Sequence, residues 1–339
     1  MKFGWRAVLG IVVSIAFLYF AFRNLDLSRA RAMARDANYW LLILSAAVAT
    51  CMFPLRARRW KTILDPVAPN LPFGPLWRAT AIGVMVTNVI PLRAGELARP
   101  LALTRQIPSV SFSTSLASVA VDRVFDGIVV MVLLAIGVSL AHFNPSTTIG
   151  GYSLTHAAGL VVGGAVALLV AFYILVFFPK TLIRAFELVA RRVSPTVERR
   201  GAEMLARFSE GLSVLKTPGH FAAVFGWTLA HWLVQPLAFW LAFLAVGVHV
   251  TFVATLIVQG IIVILVALPS APGFFGPFEV GAAIGLSLYG ISQSEATTWA
   301  LLFHIASYIP ITLIGGYYAL QLGLSLGDMR VDPTPDAAD

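Results

Sequence analysis

The sequence predicts an all-α, polytopic membrane protein, with about six full spans plus two re-entrant helical hairpins arranged as an inverted repeat. Three observations lead there. Of 339 residues, 58% are hydrophobic and only 12% charged, whereas a soluble domain carries about a quarter charged residues. Uncharged runs recur that approach the roughly 20 helical residues needed to cross a hydrocarbon core of about 30 Å. Lys and Arg bunch in some of the intervening segments and are missing from others. The mean hydropathy of +0.84, with 27 Gly and 8 Trp, fits packed spanning helices. Disorder, coiled coil and a secreted scaffold are excluded. Cys51, the one cysteine, lies in an apolar run, so no intrachain disulfide can form and a buried core thiol is expected.

The elements follow in order. Lys2 and Arg6 accompany a first run, Trp5 to Phe22. No small-x-small cleavage site precedes Arg23, so a retained first helix is expected in place of a cleaved leader. Tyr39 to Leu55 is the second run and ends at Arg56, Arg58, Arg59 and Lys61. Phe73 to Leu92 is apolar but breaks at Pro91 into a polar, Gly-containing stretch. Phe112 to Leu140 and Thr155 to Phe178 are clear spans. Pro179 to His220 is strongly basic and mixes Arg with Leu, Phe and Val, either as an amphipathic surface helix attracted to anionic lipids or as a plain connector. Phe221 to Val246 and Thr297 to Leu322 are the last clear spans. Between them, Val250 to Leu268 runs into a Pro and Gly cluster.

Orientation comes from the basic segments, which stay on the cytoplasmic side. Pro179 to His220 is then cytoplasmic, and Ala141 to Leu154, without Lys or Arg, is external. Both flanks of Phe73 to Arg105 come out cytoplasmic, and both flanks of Val250 to Gly290 external. Each must enter and return on one side, as hairpins of opposite sense, the first turning near Pro91 to Glu96. Non-helical backbone at that depth is tolerated only where it is buried in protein or lines a wet cavity. Both termini are expected in the cytoplasm. The segment Arg23 to Asn38 strains this bookkeeping, being external despite Arg23, Arg29, Arg31 and Arg35, partly offset by Asp26 and Asp36.

The two halves echo one another. Pro54 and Pro236, Gly95 and Gly276, and Glu96 and Glu279 are separated by nearly the same number of positions. One transmembrane domain over residues 1–339 is expected, with repeat one at about 39–140, a connecting span and basic segment at 155–220, repeat two at 221–322 and a polar tail at 323–339. Inverted repeats with paired Pro/Gly-interrupted segments are the architecture of many secondary transporters. Gly159 with Gly163, and Gly281 with Gly285, have helix-packing spacing.

The candidate chemistry sits where charge meets apolar sequence. In the first hairpin Arg93 and Arg99 flank Glu96, after Asn88. If the turn is deep, the arginines suit bidentate phosphate recognition, with Glu96 organising them or carrying a proton; if it is shallow, they only obey the positive-inside rule. Asp122, Arg123 and Asp126 fall mid-span. An Arg123–Asp126 pair would leave one net negative charge for Arg93 or Arg99 to meet, in a functional site or in a structural network. Glu279 is the first charge after a stretch from Thr217 to Phe278 that has none. It follows Pro277, as a helix N-terminal acid would. His231 and His304 lie in spans, each either titratable near neutral pH or simply hydrogen-bonded in the interior. No P-loop, HExxH, Cys/His cluster or Ser nucleophile elbow occurs. Neither a cofactor nor a metal is expected, and no catalytic residue is assigned.

The run Arg59–Trp60, then Asn88 to Glu96 with Arg99, then Ser115 to Asp126 (SLASVAVDRVFD), then Pro269 to Glu279 resembles the flippase-like membrane family of the lysylphosphatidylglycerol synthase transmembrane region, over nearly the whole chain. The resemblance implies lipid translocation across a bacterial inner membrane, not synthesis, since the chain reaches Asp339 without an aminoacyl-transferase domain. Carried over by position, it singles out Arg59, Asn88, Arg93, Glu96, Arg99, Arg123, Asp126 and Glu279. Where it implies an Arg in the last helix, this chain has His304. The function expected is a non-enzymatic lipid translocase moving a polar or anionic head group, downhill or proton-coupled. Its partners would be the lipid substrate and anionic lipids at the cytoplasmic surface, with a homo-oligomer or a lipid-modifying enzyme as protein partner and no nucleic acid. Two alternatives stand beside it: a non-transporting accessory of a lipid or envelope biosynthetic enzyme, and a metal-dependent enzyme using Asp122 and Asp126.

Overall fold

The computed structural model describes residues 5–23, 25–91, 93–141, 148–149, 152–191, 194, 198–199, 201–202, 217–268 and 270–324. The helices are α1 (Trp5–Phe22), α2 (Leu27–Arg35), α3 (Tyr39–Leu64), α4 (Phe73–Val89), α5 (Gly95–Gln106), α6 (Phe112–Leu140), α7 (Leu154–Phe177), α8 (Pro179–Ala190), α9 (Pro218–Ala245), α10 (Phe252–Val266), α11 (Pro277–Ser287) and α12 (Gln293–Gln321). Two-residue strands at Thr148–Ile149 and Tyr152–Ser153 pair antiparallel between α6 and α7. Polar side chains open the long helices by accepting from exposed first-turn N–H groups: Asn38 for α3, Ser111 for α6, Thr251 for α10, and Ser292 with Glu295 as a capping box for α12.

Of the six runs read as spans, α3, α6, α9 and α12 are helices long and apolar enough to cross a bilayer. α1 and α7 are helical too, with shorter apolar stretches at Val12–Phe22 and Gly159–Ala171. A pair of short, packed helices stands at each position where a hairpin was expected. α4 and α5 have 17 and 12 residues, and α10 and α11 have 15 and 11. At 1.5 Å per residue no arm exceeds about 26 Å, short of the hydrocarbon core. Glycine sets the closeness of the arms. A Cβ on Gly95 would collide with the Gly83 carbonyl and the Thr87 side chain, and one on Gly281 or Gly285 would come within 2.9 or 3.0 Å of the Ile262 or Val258 backbone. Gly159 and Gly163, by contrast, have nothing among the described residues within 4 Å of an added Cβ.

Helix lengths repeat in order, 26, 17, 12 and 29 residues for α3 to α6 and 28, 15, 11 and 29 for α9 to α12. α3 and α9 lie antiparallel. Asn38 N–H donates to the Ala245 carbonyl at 2.7 Å, Ser45 Oγ donates to that of Ala238 at 2.7 Å, and His220 Nε2 contacts that of Thr62 at 2.9 Å. The long last helix of each half then crosses to the other half's hairpin. Gly137 of α6 packs on Leu256 and Ile257 of α10, and Gly315 of α12 lies against Ala81 and Met85 of α4. Among the described residues the buried apolar side chains form one cluster around Phe239, Phe243, Phe278, Trp299 and Phe303, a second around Trp60, Leu76, Ile82 and Leu103 and a smaller third around Ile63, Phe125 and Val224.

Two expectations change. The Arg23 to Asn38 segment, read as a loop, contains α2, docked to the start of α12. Asp26 N–H donates to Ser294 Oγ at 3.1 Å, and Arg29 pairs with Glu295 at 2.7 Å, so one arginine of that segment is neutralised across the fold. Cys51 is not a core thiol but sits exposed on the outer face of α3. In a lipid-facing protein the outside is as apolar as the inside, and a Cys among apolar neighbours fits either. Of the basic segment, α8 is described; 192–193, 195–197, 200 and 203–216 lie outside the described residues, as do Leu92, Pro269 and the tail from 325.

Candidate functional site

Charged groups from four elements converge halfway along α6. Arg56 and Arg59 are one turn apart on α3, Glu96 and Arg99 lie on α5, Asp122, Arg123 and Asp126 on α6, and Arg93 in the first hairpin turn. Arg59 is wholly buried and clamps both aspartates, with Nη2 2.6 Å from Asp122 Oδ1 and Nη1 2.6 Å from Asp126 Oδ1. Arg99 Nη1 donates to Asp122 Oδ2 at 2.8 Å while its guanidinium stacks 3.9 Å over the Trp60 ring; Arg56 Nε lies 3.6 Å from the same Asp122 oxygen. Trp232 of α9 donates its indole N–H to Asp126 Oδ1 at 2.7 Å, and buried His231 stands 4.0 Å from that oxygen. Such a buried network survives only because its charges are paired and hydrogen-bonded.

A second, half-exposed tier rims this one. Glu96 Oε1 lies 3.1 Å from Arg123 Nη2 and 3.6 Å from Arg93 Nη1. Arg123 also reaches Asp126 Oδ2 at 3.4 Å. These three side chains are each about a third exposed (32–36%), against 0–7% for Arg59, Arg99, Asp122 and Asp126. Arg99 takes up the negative charge that the Arg123–Asp126 pair leaves on Asp122. The count is five arginines against three carboxylates, because Arg56 and Arg59 join from α3. The sequence reading treated Arg56 as an ordinary positive-inside residue, and Trp232 gave no signal at all.

A small cavity of about 30 Å³, large enough for a water, lies among Arg56, Thr80, Gly95, Glu96, Arg99 and Arg123. Arg56 Nε, Arg99 Nε and Nη2, Arg123 Nε and Thr80 Oγ1 have no hydrogen-bond partner among the described residues. A larger cavity of about 160 Å³ separates the two hairpin turns, lined by Thr87, Arg93 and Pro91 on one side and Ser270, Ala271 and Phe274 on the other. Arg93, at φ +55, bridges it, donating from Nη2 to the Val266 carbonyl at 2.7 Å and lying 5.5 Å over Phe274.

Asn88 and the second-half residues stand apart from the arginine cluster. Asn88 Nδ2 donates to Thr312 Oγ1 at 2.7 Å, and its carbonyl accepts from Tyr308 at 3.0 Å, which ties the first hairpin to α12. Glu279, fully buried, meets His304 at 2.8 Å. Among the described residues no three His, Cys, Asp or Glu side chains group as a metal site would require. The oxygens of Asp122 and Asp126 face guanidinium and indole N–H groups, which are donors and compete with a cation for the same lone pairs.

The chain is 26% identical over 310 residues to a UPF0104 membrane protein of Methanothermobacter thermautotrophicus, covering 86% of each. It is 21% identical to a UPF0104 membrane protein of Pyrococcus horikoshii, covering 93% of this chain and 95% of that one. It is also 26% identical to glycosyltransferase AglD of Haloferax volcanii, over 94% of this chain but 55% of that longer protein. No solved structure matches. The pattern of the family described as the lysylphosphatidylglycerol synthase TM region matches residues 7–315. The arginine-clamped helices and paired hairpins are thus those of a member of the lysylphosphatidylglycerol synthase transmembrane-region family, to which this chain belongs.

Proposed function

We propose that this protein is a lipid translocase, not an enzyme, and that it moves a polar or anionic head group through the space between its two hairpins. One observation carries the reading: five arginines face three carboxylates around a cavity, and one of the two surplus cations belongs to the accessible rim, where Arg93 and Arg123 face Glu96. Buried Arg59, Arg99, Asp122 and Asp126 pair in charge and hold α3, α5 and α6 together. Arg93 and Arg123 share the single carboxylate Glu96. A phosphate brought to this rim would compete with Glu96 for two guanidinium groups, whose planar donors match its oxygens. Glu96 is then the counter-ion that occupies the site between substrates.

The antiparallel α3 and α9 and the repeated helix lengths support an inverted repeat, with one hairpin opening to each side of the membrane. We place the protein in the inner membrane with both termini cytoplasmic, because the basic residues of α8 and of the end of α3 then share one side. The carrier is downhill or proton-coupled. The test is flux of fluorescent head-group-labelled lipids in proteoliposomes, comparing anionic with zwitterionic species. The wild type should accelerate anionic lipids, and Glu96→Gln and Arg123→Gln should each slow them. Flux equal to empty liposomes for every lipid would end the proposal.

One relative favours a second reading. The protein named glycosyltransferase AglD carries a matching region within a longer chain, which is what an accessory to a lipid-glycosylating enzyme would look like. An accessory transports nothing alone, so the same flux assay separates the two.

A further inference from the structure

Both ring nitrogens of His304 face acceptors. Nδ1 lies 2.8 Å from Glu279 Oε1, and Nε2 lies 2.8 Å from the Gly273 carbonyl oxygen. A carbonyl has no hydrogen to give, so Nε2 must carry one. The 2.8 Å contact at Nδ1 then needs a second hydrogen, on Nδ1 or on Oε1. The other carboxylate oxygen, Oε2, is already accepting the Gly276 N–H at 2.6 Å. Either placement gives the pair one proton more than a carboxylate facing a neutral imidazole would have.

We infer that Glu279 and His304 form a one-proton binding site that locks the tip of the second hairpin to α12. Loss of the proton to water leaves two lone pairs opposed at 2.8 Å in a buried place, an arrangement that must open. Among the described residues, no other side chain hydrogen-bonds to the pair. Phe275 and Phe278 cover the imidazole at 4.3 and 4.5 Å between centroids. α1 presents Ser14, Phe17 and Leu18 to Gly276, and the Ser14 hydroxyl oxygen accepts from the Ala271 N–H at 2.6 Å. On α12, the Tyr308 ring is 6.3 Å from His304 and its hydroxyl donates to Asn88. From the first hairpin, Arg93 is the one charge that reaches this tip, over Phe274.

The lock has a path to the arginine rim. Gly273, whose carbonyl His304 holds, precedes Phe274, a non-glycine residue at φ +63, a conformation that persists only when its surroundings enforce it. Opening the lock frees Phe274 to leave Arg93, and Arg93 to leave Val266 for Glu96 or a phosphate. The repeat sharpens the point. Arg123 and His304 are each the twelfth residue of a 29-residue helix, and each meets a carboxylate of its own hairpin. One half is latched by a permanent cation, the other by a proton.

As a coupling device this rests on the carrier reading; as a proton site it does not. The experiment uses the full chain in lipid nanodiscs with ¹⁵N-labelled histidine, the His304 resonances being those absent from His304→Gln. On going from acid to alkaline buffer, the His304 resonances should report the loss of one proton from the pair. Glu279→Gln should abolish it without unfolding, because the amide oxygen can accept from Gly276 while the amide NH₂ donates to Nδ1 of a neutral ring. In parallel, a cysteine placed by Ser270→Cys in a Cys51→Ser background reports tip opening. Its labelling rate, divided by that of the same cysteine in Glu279→Gln to cancel thiol ionisation, should rise with pH by up to about tenfold per unit. His304 resonances that do not respond to pH, a response unchanged in Glu279→Gln, or a flat labelling ratio would each overturn the inference. A clean titration in a protein that moves no lipid would sink the carrier reading and leave the proton site standing.

Discussion

At the scale of single residues, the two tiers of the arginine cluster should respond differently to mutation. Arg59→Met removes the one guanidinium that both buried aspartates share, and breaking a buried pair in this way costs about 3 to 5 kcal/mol; thermal unfolding in detergent should show the loss. Arg123→Gln removes a partly exposed cation from Glu96, worth under about 1 kcal/mol, so flux should fall while the melting temperature barely moves. A large melting shift for Arg123→Gln would mean that the rim is architecture. Asp122, Arg123 and Asp126 were legible in the sequence because charges mid-span have few explanations. The share taken by Arg56 was hidden, and that of Arg59 showed only through the family resemblance, since basic residues at a helix end are expected at any cytoplasmic border. Only the tertiary approach of α3 to α6 turns them inward. Cys51 was misplaced for the opposite reason, that burial in lipid and burial in protein select the same residues.

At the scale of elements, the hairpins were readable because Pro and Gly interrupt apolar runs too short to span, while α2 was not, being brief and polar. Each makes its own prediction. Gly95→Ala pushes a methyl group into the Gly83 backbone, so α4 and α5 must part; overpacking of this kind costs about 1 to 3 kcal/mol or more. Protein yield and flux should fall together, whereas Gly159→Ala, which meets nothing, should leave both unchanged. For α2 the relevant group is Asp26, outside the spans. Hydrogen bonds from the Ser28 hydroxyl, then from the Arg29 and Ser28 backbone N–H groups, hold its carboxyl below the ordinary value of 3.8. A lowered carboxyl stabilises fully above that value and loses its contribution as pH falls through the folded one. Hydrogen exchange along α2 should therefore quicken below about pH 3.8, and Asp26→Ala should quicken it already at neutral pH.

At the scale of the whole molecule, each half lends its last helix to the other. The repeat could be sensed from matching Pro, Gly and Glu positions, but which helix meets which hairpin could not, since spacing along a chain carries no information about exchange across it. Residues 1–217 and 218–339 expressed separately should each be degraded, and coexpression should restore a complex that copurifies. Recovery of either half alone as a stable species would refute the exchange. There is also a consequence for synthesis. Asn88 waits for Thr312, 224 residues downstream, and at about 5 to 20 residues per second the ribosome needs roughly 11 to 45 seconds to deliver it. Throughout that interval the first hairpin has a polar amide and no native partner, which makes it the segment on which an insertase or membrane chaperone would have to keep hold.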